Sequence, residues 1–516
     1  MKKKLLKTLL LVLPVVVLSS CDRTIFDFLS SSSYSYPSYS NSDFSSEVRG
    51  GYSKEQASFL MRDVGDSGDM PYLDSVGNPK ILVIPISLSG YEYNATTRNL
   101  NRIKNVFVGE NDSWQSVESF YRLSSFGKLN LDITVADKWY ECDLTPKEIY
   151  ALDERSETET GGVEKVIEMA YSDYKKKNNT NGTEFDSDQD GYVDGAWFVY
   201  SAPNYLSETD SSTSGLDPTC WAYTYWADNS PNKNSPALCT FGWASFDFMD
   251  EGYGTFKSDA HTFIHETGHM LGLDDYYDYN VVSKTDGSAP MGMIDMMDAN
   301  IIDHNVYSKW ILGWVSPFVV TGPGEITLSS SALSGDCLVL PTSDGWNGTP
   351  FDEYMMLELY TPENLNWKDS EKAYPGNGLK GFTEVGVRLY HVDARLAKYS
   401  NNRKFSYTDT LESNCYIAHS NTPSYGTDKD RQTRNHLSPN YRLIQLMDAS
   451  KTTNFAKTYA YAKNETLFHK GDSFSMEEYA SFFPNGKKTN DGGTFEYTIT
   501  IKSITSKEVT IGISKY

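Results

Sequence analysis

The stretch His265-Glu-Thr-Gly-His269-Met-Leu-Gly272-Leu-Asp-Asp275 decides how this chain is read. Residues four apart on a helix share one face, so His265 and His269 can point at one metal ion. Glu266, beside the first His, can polarise a water at that ion. Gly272 ends the helix and turns the chain back, so that a third ligand arrives from the segment after it. Asp275 fits the spacing, with Asp274 and Asp278 close enough to compete for the role. The pattern predicts a helix over 258–271 and a zinc ion (Zn2+) on His265, His269 and Asp275. It also predicts peptide-bond hydrolysis with Glu266 as general base. His261 lies one turn earlier, about 12 Å along the axis from His269 at the α-helical rise. That is too far to share the ion, and His261 is expected to face solvent near the helix start.

Downstream, Pro290-Met-Gly-Met-Ile-Asp-Met296-Met297-Asp298 offers a Met-bearing turn as a soft, apolar floor for the site, or four methionines that fill a core. Tyr307 opens a further helix and is expected either to pack or to stabilise an oxyanion. His391, His419, His436 and His469 fall in a β-rich region and are expected to be structural or superficial.

Upstream, Asp186-Ser-Asp188-Gln-Asp190-Gly191-Tyr192-Val-Asp194 sets alternate carboxylates around a turn-forming Gly. Such residues converge on one hard cation, so Asp186, Asp188, Asp190, the Tyr192 main chain and Asp194 are expected to hold Ca2+. Where an EF-hand has its bidentate Glu, this loop has Trp197. The expectation is therefore a rigid structural loop leading into the strand at Ala196, with an acidic solvated hairpin as the alternative.

The N-terminus reads as an address. Met-Lys-Lys-Lys-Leu-Leu-Lys precedes the apolar run Thr8 to Leu18, too short for a comfortable membrane span. Leu18-Ser19-Ser20-Cys21 resembles the bacterial lipobox, in which the Cys is acylated. The expectation is an exported, cell-surface lipoprotein anchored through lipidated Cys21 without spanning the membrane. The net charge of -23 makes nucleic acid and anionic lipid poor partners, and protein or peptide substrates are expected instead. Besides Cys21 there are five Cys, none spaced C-x-x-C. An odd count leaves at least one unpaired, and Cys220 with Cys239 is the expected bridge.

Residues 1–21 are thus read as a lipoprotein signal peptide and 22–75 as a Ser-rich tether. Lys80–Leu88 has the apolar run of a buried strand, and 162–177 a helical pattern. A mixed sheet packed on helices is expected for residues 76–320. After Pro317, strand-like runs succeed one another: 325–329, 337–341, 354–359, 385–392, 417–419, 495–504 and 508–513. They suggest a β-sandwich-like region over 321–516, and an α+β chain overall.

Several segments together resemble the immune inhibitor A-like family of secreted bacterial zinc metallopeptidases. These are the zinc motif, the Lys80–Leu88 strand, Ser116-Val-Glu-Ser-Phe-Tyr-Arg-Leu-Ser-Ser-Phe-Gly-Lys128, the acidic loop, Met293-Ile-Asp-Met-Met297-Asp, Tyr307-Ser-Lys-Trp-Ile-Leu-Gly-Trp314 and Gly386-Val-Arg-Leu-Tyr-His-Val-Asp393. The resemblance covers about residues 76–400 and implies a metzincin-like catalytic domain with a Met-turn at Met297. His-Glu-Thr-Gly-His-x-Leu-Gly-Leu also resembles small metzincin-like proteases whose third ligand is Asp, which points to Asp275. Two features depart from the pattern: Asp274 stands where the family often has Pro, and 22–75 does not look like a full inhibitory propeptide. The function implied is a zinc endopeptidase acting on extracellular proteins. The alternative is a surface-binding or adhesin lipoprotein on a peptidase scaffold.

Overall fold

A computed structural model of the chain describes residues 48–49, 51–54, 60–61, 71–109, 115–155, 162–207, 211–216, 219–250, 258–279, 287–399, 405–408, 415–422 and 440–515. The leader with Cys21, most of the expected tether, and His436 lie outside the described residues. No helix among the described residues is long and apolar enough to cross a membrane.

The chain is α+β, with mixed sheets and helices. The first sheet runs Asp132–Val135, Lys80–Leu88, Gly195–Tyr200, Thr240–Ser245, Tyr223–Trp226, with Tyr140–Cys142 also pairing to the second of these. The pairs are parallel, except that Tyr223–Trp226 runs antiparallel to Thr240–Ser245 as the sheet's last strand. Parallel strands covered on both faces read as unbroken apolar runs, and Lys80–Leu88 is buried from its second residue to its end. Its side chains alternate between two cores, as a period of two requires. Ile81 and Val83 join Trp197, Phe107, Phe120 and Phe263 on the face that carries the His265 helix. Leu82, Ile84 and Ile86 join Val163, Val166 and Ile167 of the helix Gly162–Asn178 on the other.

A seven-stranded sheet follows, in the order Val48–Arg49, Tyr52–Lys54, Phe318–Val320, Cys337–Pro341, Glu353–Tyr360, Gly386–Asp393, Ile444–Leu446. One of its faces supplies Leu338, Leu340, Met355, Leu357 and Leu389 to a core shared with Ile326, Leu328, Ile499, Ile501, Val509 and Ile511. Those residues come from a four-stranded antiparallel sheet built by Gly324–Ser329, Glu508–Lys515, Tyr497–Ile504 and Ser473–Phe474. The opposite face, through Val339, Tyr354, Met356 and Tyr390, enters the same core as the His265 helix.

Two findings bear on the expected boundaries. Within the segment read as a tether, Val48–Arg49 and Tyr52–Lys54 are strands of this sheet, and Tyr52 packs edge-on against Phe318 with centroids 5.5 Å apart. Phe318–Val320, at the end of the expected catalytic region, pairs with both Tyr52–Lys54 and Cys337–Pro341. The core therefore runs through position 320 without a break.

The expected Cys220–Cys239 bridge is not formed. Cys142, Cys220, Cys239, Cys337 and Cys415 form no disulfide among the described residues and are all buried, each filling a place in the interior as a small side chain.

Candidate metal centre

The helix of the motif spans His261–Met270. Phe263 and Thr267 face the first sheet. The Phe263 ring lies 5.3 Å from that of Trp197, and Trp197 Nε1 donates to Thr267 Oγ1 at 3.2 Å. The helix ends as Gly272 predicts. Leu273 N donates to Gly268 O at 3.0 Å and Gly272 N to His269 O at 2.9 Å, the two bonds of a Schellman motif. Gly272 sits at φ +94°, a conformation glycine adopts without strain.

The reversal carries Asp275 back over the helix. Its Oδ1 lies 2.9 Å from His265 Nε2 and 3.2 Å from His269 Nε2, and the two Nε2 atoms are 3.2 Å apart. Ligand atoms held about 2.0 Å from a tetrahedral ion lie about 3.3 Å from one another, so this triangle has the dimensions of one face of a zinc site. Two imidazoles and one carboxylate are also a donor set used by catalytic zinc, which keeps a fourth position open. Both imidazoles are oriented from behind by main-chain carbonyls: His265 Nδ1 by Met296 O at 2.8 Å and His269 Nδ1 by Leu273 O at 2.7 Å. Each Nδ1 carries the proton in these bonds, which leaves each Nε2 lone pair for a metal. Asp274 and Asp278 stay out of this cluster. Asp278 accepts from Ser288 N and Oγ instead.

Charges in the cluster are strongly coupled. Burial opposes ionisation of Asp275, yet His269 and His265 hold its carboxyl far below the usual range. Burial likewise opposes protonation of His269, but Asp275 lifts its pKa to about 9. Glu266 is buried on the next helical position, and burial raises its pKa against the pull of His269 and His265.

Met297 is fully buried and lies directly against the helix. A Cβ added to Gly268 would stand 2.6 Å from Met297 Sδ. The same segment accepts from the site twice: Met296 O from His265 Nδ1, and Met297 O from Tyr276 N at 2.7 Å. Asp295 caps the short helix Met296–Ala299 through Met297 N and also binds Asn305.

Tyr307 is fully buried on the helix Val306–Ile311. Its ring is 6.4 Å from Tyr276, and its hydroxyl has no hydrogen-bond partner among the described residues. The tyrosines at the cluster are two that sequence reasoning passed over. Tyr279 Oη donates to Asp275 Oδ2, and the Tyr277 ring faces His265 at 6.5 Å. Burial raises the Tyr277 pKa, and Asp275 and Glu266 beside it add to the shift. Thr224, on the last strand of the first sheet, donates to Glu266 O at 2.6 Å. The one available signal was the run Asp275-Tyr-Tyr-Asp-Tyr279, dense in phenols immediately after a candidate ligand.

His261 does not face solvent. It is 4% exposed, with Nδ1 on Asp259 Oδ1 at 2.5 Å, Nε2 3.6 Å from Asp369 Oδ1 and its ring on Tyr374 at 4.0 Å. The reason is tertiary: Asp369 belongs to the half of the chain expected to be separate, and it covers the start of the helix. Burial works against a charge on His261, but Asp259 and Asp369 raise its pKa to about 10. His391 and His419 are likewise buried, and His391 donates to Glu353 at 2.8 Å.

In the acidic loop, oxygens of Asp186, Asp188 and Asp194 gather within 4.8 Å of one another. Gly191 at φ +99° makes the turn, and its N–H donates to Asp186 Oδ2 at 3.1 Å. Asp194 also accepts from Lys80 N at 2.7 Å, which ties the loop to the central strand. Asp190 turns its carboxylate to Tyr192 N at 2.7 Å. Burial raises the pKa of Asp190 and Asp194, and the neighbouring carboxylates add to it. Crowded oxygens of one sign fit a hard divalent cation.

In comparisons with known proteins, no family model matches the chain, and no curated protein matches it significantly.

Proposed function

We propose that this chain is a zinc-dependent endopeptidase with a metzincin-like catalytic region followed by a β-sandwich-like region. It would be exported, anchored through lipidated Cys21, and would act on extracellular proteins or peptides. The observation that carries the reading is the convergence of His265 Nε2, His269 Nε2 and Asp275 Oδ1 beside the buried Glu266. Zinc bound there supplies a Lewis acid that polarises the scissile carbonyl and acidifies water.

The chain's own groups do the rest. Glu266 takes a proton from the attacking water and returns it to the leaving amine. Its raised pKa suits a carboxylate that must accept a proton and release it again near neutral pH. Tyr277 borders Asp275 and Glu266 and is better situated than the wholly buried Tyr307 to donate a hydrogen bond to the developing oxyanion. Tyr223–Trp226 ends its sheet, and Thr224 on it touches Glu266. A substrate lying extended along that strand would pass the base, with main-chain pairing independent of sequence. The Asp186–Asp194 loop would hold Ca2+ in a structural role.

The test is metal content alongside casein cleavage. Wild type is expected to carry one zinc and to cleave. Asp275→Ala is expected to lose both, while Asp274→Ala keeps both. Zinc retained at full occupancy in Asp275→Ala would contradict the reading.

A further inference from the structure

We propose that Asn421 and Thr422, from the β-rich half of the chain, are positioning residues that set the third metal ligand through Tyr279. The inference rests on the metal centre proposed above and concerns what holds it in register.

Asp275 arrives on a loop with no regular secondary structure. A loop carboxylate samples many orientations unless its backbone and its second oxygen are both fixed. Here both are. Asn421 Nδ2 donates to Tyr276 O at 2.8 Å, while Asn421 Oδ1 accepts from Ile444 N at 3.1 Å. Ile444 begins the outermost strand of the seven-stranded sheet, so Asn421 bridges that sheet to the ligand loop. Thr422 Oγ1 accepts from Tyr279 N at 3.0 Å and donates to Tyr277 O at 3.3 Å. Both residues are buried, which shields these bonds from competing water. The clamped backbone presents the Tyr279 phenol to Asp275 Oδ2. With Oδ2 engaged, Oδ1 alone faces the two imidazoles, so Asp275 is set as a one-oxygen ligand. The remaining anchor, Tyr276 N on Met297 O at 2.7 Å, binds the loop to the floor of the site. The β-rich half therefore completes the centre, and its contribution appears as metal affinity.

Removal of an outer partner of a metal ligand typically weakens metal binding about 10–100-fold. Zinc affinity is read on the full chain by competition with a chromophoric chelator, and ligand geometry by the visible spectrum of the Co2+-loaded protein. Tyr279→Phe, which deletes one oxygen and keeps the ring, is expected to weaken zinc about 10–100-fold and to alter the Co2+ bands. Thr422→Val is expected to follow it, and Thr422→Ser, which keeps the hydroxyl, to remain within about threefold of wild type. Wild-type affinity and spectrum in both Tyr279→Phe and Thr422→Val would overturn the proposal, as would equal losses in Thr422→Val and Thr422→Ser. A wild-type chain that binds no zinc would instead defeat the metal reading itself, and this inference with it.

Discussion

His304 makes a sharp test of how the helix carrying His265 and His269 is supported. It is fully buried, with its ring packed against Phe120, Tyr121 and Trp314 at centroid distances of 5.4, 5.8 and 6.0 Å. Neither ring nitrogen has a hydrogen-bond partner among the described residues. Tyr121, one of its neighbours, donates to Ile264 O on the His261–Met270 helix at 2.7 Å. Burial drives the His304 pKa down to about 3, helped by Lys309 and His265 and opposed by Asp303. The unfolded chain takes up a proton at this His below about pH 6.5, while the fold refuses it until about pH 3. Stability is therefore intact above pH 6.5 and is lost as pH falls toward 3. Each unit costs about 1.4 kcal/mol, so the loss is about 3 kcal/mol at pH 4.5 and about 5 kcal/mol at pH 3. His304→Leu removes the titration and leaves no hydrogen bond unmade. At pH 7.5 it should melt close to wild type. At pH 4.5 its advantage should reach roughly 3 °C, from an unfolding entropy near 1 kcal/mol/K for a chain of this size. Calorimetric melts of both proteins from pH 7.5 to 4.5 decide the matter. Acid effects at His265, His269 and Asp275 are common to both and cancel in the difference. Melting curves that stay parallel across that range would refute the reasoning.

Three further outcomes are expected. Asp275 keeps His269 protonated up to about pH 9 in the metal-free site, so zinc uptake at pH 7 should release a proton and weaken as pH falls; calorimetric titration in buffers of different ionisation enthalpy measures it. Gly268→Ala should destabilise by about 1–3 kcal/mol, because its Cβ would press on Met297 Sδ, and Met297→Ala should relieve part of that loss in the double mutant; denaturant melts give the coupling. Burial and mutual repulsion raise the pKa of Asp190 and Asp194, so the charged loop is unfavourable at neutral pH and Ca2+ should raise the melting temperature. That rise should vanish in Asp186→Asn/Asp188→Asn.

What the sequence made legible was local. Lys80–Leu88 is a strand over the expected residues because a parallel strand buried on both faces has nine consecutive positions with little room for polarity. The helix end at Gly272 followed from spacing, which offered Asp275 alongside Asp274 and Asp278; the fold brings Asp275 to the imidazoles. Distance in sequence hid the rest. His261 has the spacing of an exposed helical residue, and Asp369 and Tyr374, distant in sequence, pack against it. Val48–Arg49 and Tyr52–Lys54 are too short to show a period, and Phe318–Val320, which joins Tyr52–Lys54 to the sheet, is far along the chain. The last strand of the first sheet, Tyr223–Trp226, sits between Cys-, Pro- and Asn-rich turns that mask its pattern. Asn421 reaches Tyr276 across 145 residues, a contact no window of sequence contains. The cysteine expectation failed for a related reason, since proximity along the chain says little about geometry and both thiols fill packed interior sites.

The most direct test of the central claim compares wild type with Glu266→Gln, which keeps the size of the side chain and removes the base. Bound zinc and cleavage of casein are measured on the same preparations. Zinc content should be equal in both proteins, with a fall in cleavage rate of about 10²–10⁴-fold in the variant. Cleavage retained at the wild-type rate with Glu266 replaced, or zinc-loaded wild type that cleaves no protein or peptide, would contradict it.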